Sequence, residues 1–510
     1  MEKLSSKKIL KNTVSLYFRT IILTIISLFT VRVVLQVLGE NDYGTYNVVG
    51  GFVAMFSFVS SSLALSSQRY FAVALVNGDW EKINKFFSLN FIIYIILNSI
   101  IFILAETIGL WFIYNQLNIE TERIFAAMVS YQLSVFTFLI GILISPFLAL
   151  LIADENLSIY SLVSVVEGIF KVLICYLINV FKGDKLIIYA MLLALTSLLI
   201  NIFYVLYTRK RYPKLKFKLY KRWEEYRVIF SFLNWNLIGA FASVCKNYGI
   251  NIIINIFFGS TVNAAKAIAT QMNGVFSSFS QNFMRAVNPQ ITKSYAQKNY
   301  EKYIGLIYSS SKLSYYLLFV VTVIYTMNAD YILSLWLGEV PQYAWIFSVL
   351  VLLDALVLSM TDPFFTAVQV IGRVKEYQLC IGLLALSNLP VSAILLYFFK
   401  EPLIPFMVSI GVGICITIGR LRVFKKMYDF SILDFFKKVL VKNWIVSLVV
   451  VMLSRFFFYK AESFIELVVN VMGTLSICAF CIYFLGLDIK ERALIKKMIQ
   501  QKKCKNKDGK

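Results

Sequence analysis

Between Phe86 and Ala105 the chain runs for a full bilayer width without one Asp, Glu, Lys or Arg, and Leu186–Thr208, Tyr377–Phe399 and Leu467–Leu487 are equally free of charge. A membrane-spanning helix takes roughly 20 apolar residues, more when tilted. Each of these runs is long enough to cross. Composition agrees over the whole chain: of 510 residues 59% are hydrophobic and only 15% charged, against about 25% charged in soluble domains, and mean hydropathy is +0.73. A soluble globular fold is excluded. The fold class is an all-α polytopic membrane protein, with spans expected at 12–38, 43–76, 84–110, 121–150, 157–181, 186–208, 227–257, 262–292, 303–328, 343–370, 376–399, 402–423, 440–458 and 464–487, fourteen helices in all.

The net charge of +22 lies between the apolar runs rather than on one face of a soluble surface, so it speaks to membrane orientation and no nucleic-acid partner is expected. Lys and Arg in short loops favour the cytoplasm. One side holds Lys3, Lys7, Lys8 and Lys11, then Lys82 and Lys85, then Arg209 to Arg222, then Lys293, Lys298 and Lys302. It continues through Arg373 and Lys375, Lys425, Lys426, Lys437 and Lys438, to the basic tail 488–510. The other side offers little beyond Lys182, Lys185, Lys400 and Lys460. Both termini are therefore expected in the cytoplasm, as an even number of spans requires. The first apolar segment holds Arg19 and Arg32, is too long for a signal-peptide core and lacks a small-residue cleavage site, so it is expected to be retained.

Residue types restrict the chemistry further. There is no histidine, which excludes imidazole bases, His-ligated metals and a Ser-His-Asp triad. The 7 cysteines lie almost all in apolar runs, and Cys478 and Cys481 have no second pair; they read as small packing residues, since a structural zinc site needs two ligand pairs. No phosphate loop, HExxH or sugar-nucleotide metal pair is present, and neither 329–342 nor the basic 209–226 connection is long enough for a catalytic domain. No catalytic residue, metal or organic cofactor is expected.

An internal repeat organises the chain. With a shift of 220, Leu38-Gly39 falls on Phe258-Gly259, Phe56-Ser57 on Phe276-Ser277, and Gly78-Asp79-Trp80-Glu81-Lys82 on Lys298-Asn299-Tyr300-Glu301-Lys302. With a shift of 217, Ser145-Pro146-Phe147 falls on Asp362-Pro363-Phe364 and Tyr160 on Tyr377. The domains read from this are a six-helix bundle 1–208, a basic linker 209–226, a second six-helix bundle 227–424 and two additional helices within 425–487. Parallel repeats of this kind are a transporter architecture with the substrate path between the halves.

The stretch Val37-Leu-Gly-Glu-Asn-Asp-Tyr-Gly-Thr-Tyr46, the Ser67-Gln-Arg-Tyr70 end of the second helix, the Gly78-Asp-Trp-Glu-Lys82 loop and the repeat of that layout in the second half, together with the 6+6+2 organisation, resemble the polysaccharide and O-antigen flippases (Wzx-type) of the multidrug/oligosaccharidyl-lipid/polysaccharide exporter superfamily. The resemblance covers essentially the whole chain. It implies an alternating-access carrier that moves a prenyl-diphosphate-linked oligosaccharide, a unit of O-antigen, capsule or other surface polysaccharide, across the cytoplasmic membrane. It also implies membrane lipids and polysaccharide polymerase or assembly proteins as partners.

Charges inside the spans are the candidate site residues, because a buried Arg or Lys costs about 2.5–3.5 kcal/mol on insertion scales and is expected to face a cavity or a partner. Arg32, Arg69, Lys171, Lys246 and Arg285 are candidates for a cationic path that attracts diphosphate, Arg by bidentate donation and Lys as a point charge. Arg19 and Lys266 lie near expected helix ends and read as snorkelling side chains. Lys171 has Glu167 one turn before it, so a structural ion pair competes with a cargo role. Glu167, Asp354 and Asp362 are candidates for H+ or Na+ coupling, the last two eight residues apart on one helical face. For Asp362 the competing reading is a turn at Asp362-Pro363, where the carboxylate satisfies backbone donors freed by proline. Glu106 lies near an outer end and reads as interfacial.

Three function classes follow. The first is the lipid-linked oligosaccharide flippase, with a lipid II carrier as its near relative. The second is a multidrug extruder of organic cations, which should line its cavity with acid. The third is a membrane-embedded polysaccharide enzyme, which should carry a sizeable outer loop.

Overall fold

The computed structural model describes residues 2–76, 78–154, 157–220, 223–489 and 491–493, and for some of these, including 2–18, the backbone alone. Every element among the described residues is helical: α1 Glu2–Ala54, α2 Ser57–Val76, α3 Trp80–Leu104, α4 Leu110–Asn115, α5 Ile124–Ala153, α6 Leu157–Leu177, α7 Lys185–Arg211, α8 Trp223–Ala296 and α9 Tyr300–Leu337. The order continues with α10 Ala344–Ser359, α11 Pro363–Ile371, α12 Val374–Leu386, α13 Asn388–Phe399, α14 Ile404–Met427, α15 Ile432–Phe435, α16 Lys442–Phe457 and α17 Phe464–Cys481. Twelve stretches of the described residues are helical, long and apolar enough to cross a membrane. Two of these, Arg19–Ala54 and Gly239–Ala296, each contain an internal break; divided there they give fourteen helical pieces, of which 40–54 is short and corresponds to the expected 43–76 helix only together with α2.

The breaks are Gly39 (φ 79°, ψ 170°) and Gly259 (φ 80°, ψ −175°), a region of backbone space that is essentially open to glycine alone. The second break folds α8 back on itself. The Asn263 carboxamide nitrogen donates to the Asn251 carbonyl at 2.8 Å, whereas twelve residues of straight helix would hold them about 18 Å apart. Because Gly39 has almost the same dihedrals, α1 is redirected in the same way, and the two turns stand 220 residues apart.

The repeat extends to the loops that follow. Gly78 (φ 63°) and Lys298 (φ 56°) are both left-handed, and each closes a Schellman motif. The Gly78 amide donates to Leu75 at 3.1 Å and the Asp79 amide to Ala74 at 3.1 Å; the Lys298 amide donates to Tyr295 at 2.9 Å and the Asn299 amide to Ser294 at 3.0 Å. Asp79 then caps α3 through the Lys82 amide at 3.0 Å, and Asn299 caps α9 through the Lys302 amide at 3.1 Å. The shared shift of 220 thus reflects shared backbone geometry.

The chain divides into two compact units. The first comprises 1–271, 336–347 and 378–412. Its core includes one cluster around Phe71, Ile83, Phe87, Phe147 and Tyr204, and another around Val48, Val49, Val53 and Tyr131. Within it α6 runs parallel to the early part of α1. Tyr160 meets Arg19, and a side chain at Gly168 would press on Leu23 and Ile26. At one end Arg123 grips Asp42 through Nε (2.7 Å) and Nη2 (2.5 Å) and also reaches Asp184. Asp184 in turn caps α7 through the Leu186 and Ile187 amides. Partial burial pushes the Asp184 carboxyl up, but Arg123 and those two amides outweigh it and hold the group below the usual carboxylate range.

The second unit comprises 272–335, 348–377 and 413–510. An aromatic cluster of Phe364, Phe424, Phe430 and Phe435 joins α11, α14 and α15. The last two long helices are tied to α9 by charge. Lys312, 1% exposed, donates to Asp488 and Glu491 at 2.7 Å each, and Lys442 also reaches Asp488. Partial burial pushes the Asp488 carboxyl up, yet Lys312 and Lys442 bring it below its ordinary value. The six described cysteines are free thiols.

Two outcomes follow. Gly39→Ala and Gly259→Ala are each expected to cost about 1–3 kcal/mol through backbone strain, read as a lowered unfolding midpoint in detergent; a Cβ at either glycine meets open space or ordinary contact, so an unchanged midpoint would mean the turn geometry is wrong. A depressed carboxyl stabilises the fold above its unfolded pKa of about 3.9 and loses that contribution only as pH falls through the folded value. The midpoint difference between the native chain and Asp488→Asn should accordingly stay constant from neutral pH down to about 4 and shrink below it.

Candidate functional site

The interior charges of the first unit gather on the hairpin formed by α8. Lys246 and Lys266 are each 6% exposed. They lie on opposite arms, five residues beyond Asn251 and three beyond Asn263 in the direction away from Gly259. At 1.5 Å per residue the two lie at about 7.5 Å and 4.5 Å from that contact, within one helical turn of the same level. The tip of the hairpin is a polar seam: Asn255 accepts from the Asn118 amide at 2.9 Å, and Thr45 donates to Ser260 at 3.1 Å. The seam is tight, because a Cβ at Gly44 would collide with the Ser260 carbonyl.

Lys266 departs from its snorkelling assignment. Its ammonium group donates to the Thr270 hydroxyl at 2.8 Å and lies 5.9 Å from the centre of the Phe406 ring. Although the Gly259 break is only seven residues away, the side chain turns inward and is 6% exposed. Arg19 also turns inward: its guanidinium sits 4.6 Å from the Tyr160 ring centre and hydrogen-bonds the Tyr160 hydroxyl at 3.2 Å.

The remaining candidates are dispersed. Arg32 is exposed, on a stretch of α1 held by the Trp336 indole donating to the Leu28 carbonyl at 2.8 Å and by Gln36 donating to the Leu337 carbonyl at 3.2 Å. Gln271 reaches Ser27 on the same stretch at 2.8 Å. Lys171 and Glu167 form an ion pair at 2.7 Å, both close to 40% exposed. The Arg69 side chain lies outside the described residues, although its backbone belongs to α2. Arg285 is exposed on α8 and belongs to the second unit. Glu106 is half-buried and accepts from Gln132 at 3.1 Å.

In the second unit Asp354 and Asp362 both face α14. The Asp354 carboxylate occupies the space beside the Gly413 Cα. Asp362 makes no side-chain cap to the helix that begins at Pro363; its partner is Arg420, at 3.2 Å. The same guanidinium nitrogen donates to the Leu358 carbonyl and the Thr361 hydroxyl. The Leu358 carbonyl also accepts from the Thr361 amide at 3.1 Å, so Arg420 adds donors at the turn, and Asp362 is held by this arginine from a neighbouring helix instead of accepting from backbone donors freed by proline. Sequence reasoning passed over Arg420 because it sits at the basic end of its span. Lys312 was passed over as well, although a lone charge between Lys302 and Asp330 carries the same signal that marked Lys246.

No protein-family model and no curated protein sequence matches the chain. Solved structures do. An inward-facing multidrug resistance MATE family transporter of the MOP superfamily aligns with a TM-score of 0.63 and 14% identity over 79% of this chain and 94% of that one. The lipid II flippase MurJ in an inward closed conformation aligns at 0.64 and 13% over 92% of this chain and 98% of that one. A MOP superfamily transporter from Pyrococcus furiosus, whose binding pocket is described as having reverse polarity, aligns at 0.58 and 13% over 82% and 95%. The chain has the two-bundle helical fold of the MOP superfamily transporters.

Removing one partner of a fully buried ion pair costs roughly 3–5 kcal/mol; with Asp362 41% exposed, Arg420→Ala is expected to cost less, about 1–2 kcal/mol by the same reasoning. The double variant Asp362→Ala/Arg420→Ala should unfold at a higher temperature than Arg420→Ala alone. The reverse order would show that Arg420 acts through the carbonyl and hydroxyl contacts and not through the carboxylate.

Proposed function

We propose that the protein is a flippase that carries a prenyl-diphosphate-linked oligosaccharide across the cytoplasmic membrane by alternating access of the halves 1–208 and 227–424, with both termini in the cytoplasm. One observation supports this most. Among the described residues the buried charged side chains are Lys246, Lys266 and Lys312, and no carboxylate is buried to the same degree. Lys312 serves the second unit, where it meets Asp488 and Glu491, and the two lysines of the α8 hairpin are the buried charges of the first. A low-dielectric setting strengthens the attraction of an ammonium group for phosphate oxygens. An extruder of organic cations would need the opposite sign, so the multidrug reading is disfavoured even though MATE transporters share the fold. Lipid II presents the same diphosphate and is the second cargo to test. Glu167, Asp354 and Asp362 are proposed as the candidates for H+ or Na+ coupling; of these Asp354 stands within α10 away from the helix ends, where ionisable residues tend to mark ion pathways.

Purified protein in liposomes, with fluorescent prenyl-diphosphate oligosaccharide and an impermeant quencher, measures the flipping directly. Lys246→Ala and Lys266→Ala are each expected to slow initial flipping tenfold or more, in line with roughly 2–5 kcal/mol for stripping one partner from a buried charge contact, while unfolding midpoints stay close to native. Native flipping rates in the double variant would refute a cationic cargo site, and faster transport of lipid II than of the oligosaccharide lipid would reassign the cargo.

A further inference from the structure

The segment that follows α7 has a structure that no transport role accounts for. After Arg211 the chain makes a turn and then runs extended from Leu215 to Tyr220. It is fastened along α3. Tyr212 packs on Trp80 and donates to the Asp154 carboxylate at 2.7 Å. Asn84 donates to the Lys214 carbonyl at 3.1 Å and accepts from the Lys216 amide at 2.9 Å, and Ser88 accepts from the Lys218 amide at 2.9 Å. Side chains of α3 thereby replace the backbone partners that an extended segment lacks.

The strap climbs α3 from Trp80 to Ser88, about 12 Å at helical rise. The first turn of α3 is polar and charged, Trp80-Glu81-Lys82-Ile83-Asn84-Lys85, and the charge-free run begins at Phe86. Phe217 therefore lies where hydrocarbon begins, against the Phe91 ring at 5.8 Å, yet it stays 53% exposed, and Leu219 is 60% exposed. The same stretch of chain carries six exposed cations, Arg209, Lys210 and Arg211 in the last turn of α7 and Lys214, Lys216 and Lys218 along the strap. No Asp or Glu occurs from Lys185 to Trp223.

We infer that this strap is a docking surface for the anionic phospholipid headgroups of the leaflet on its own side, with Phe217 and Leu219 entering the interface and the lysines meeting lipid phosphates. Basic segments beside a membrane helix are drawn to a negative leaflet, and the attraction fades within a Debye length. The strap is laid out for that partner because its backbone is already fixed at headgroup depth. A soluble acidic protein would not need exposed aromatic surface at the level where the apolar span begins.

Hydrogen–deuterium exchange of the full-length protein in nanodiscs tests this without reference to transport. In phosphatidylcholine alone the amides of 214–220 should exchange at a baseline set by the bonds that Lys216 and Lys218 make to Asn84 and Ser88; with about 30 mol% phosphatidylglycerol they should slow from it by roughly threefold or more. Salt at about 0.5 M should abolish the difference, and so should Lys214→Gln/Lys216→Gln/Lys218→Gln, whose exposed positions leave the fold intact. Equal exchange in the two lipids overturns the inference. So does slowing that survives high salt or the triple variant, and so does equal slowing by free inorganic phosphate in the neutral nanodisc, which would mark an anion site and not a membrane contact. Should the triple variant fail to fold, the lipid and salt comparison on the native chain decides alone.

Discussion

A helix that must turn back without leaving a backbone carbonyl or amide bare in hydrocarbon has few ways to do it, and this chain uses one twice. Gly39 and Gly259 each hold a positive φ with ψ near 180°, a conformation in which a side chain would be strained. One such residue breaks the helix without inserting a loop, so few polar groups are freed and fewer need new partners. The consequences reach outward from the second turn. It brings Asn263 onto Asn251, sets Ser260 against Thr45, and puts Lys246 and Lys266 at a common level on facing arms. A straight α8 would have separated those lysines by about 30 Å.

Interior charge is then sorted by partner. Lys171 with Glu167, Arg420 with Asp362, and Lys312 with Asp488 and Glu491 are paired within reach of one hydrogen bond. Each pair acts locally. The first spans one turn of a helix, the second supplies donors at the α10 to α11 break, and the third fastens the last helix to α9. Arg19 uses an aromatic face and a hydroxyl in place of a carboxylate. For the two pairs that join different helices, pairing costs nearly as much desolvation as it recovers, so it fixes which helices meet more than it adds stability; the Lys171 and Glu167 pair stays on one helix and close to 40% exposed.

Much of this was readable in the sequence. Charge-free runs of bilayer length marked the helices, and the match of Leu38-Gly39 with Phe258-Gly259 picked out two residues with the same dihedrals. The Gly78 and Lys298 match aligned unlike residues, and lysine seldom adopts φ of 56°; the loop geometry persisted where the residue that usually permits it did not. The inward turn of Lys266 was not legible. Its position in the chain is as close to a helix end as that of a snorkelling lysine, and only the ring of Phe406 and the hydroxyl of Thr270 reveal its direction. Arg420 was hidden for a related reason. Sequence spacing reports faces of one helix, while the Asp362 to Arg420 contact joins helices 58 residues apart.

Burial divides the basic residues of the first unit into two kinds. The strap cations from Arg209 to Lys218 are exposed and sit where water screens them, so each contributes little by itself and only the cluster acts on a charged surface. Lys246 and Lys266 are few but buried, and in a medium of low dielectric a single ammonium outweighs several at the surface. A net charge of +22 therefore describes two different devices. In the proposed reading the numerous charges set how the chain sits in a membrane, and the sparse ones decide the sign of what its interior will accept. Composition registers the first and is almost blind to the second, because two residues in 510 barely move an average.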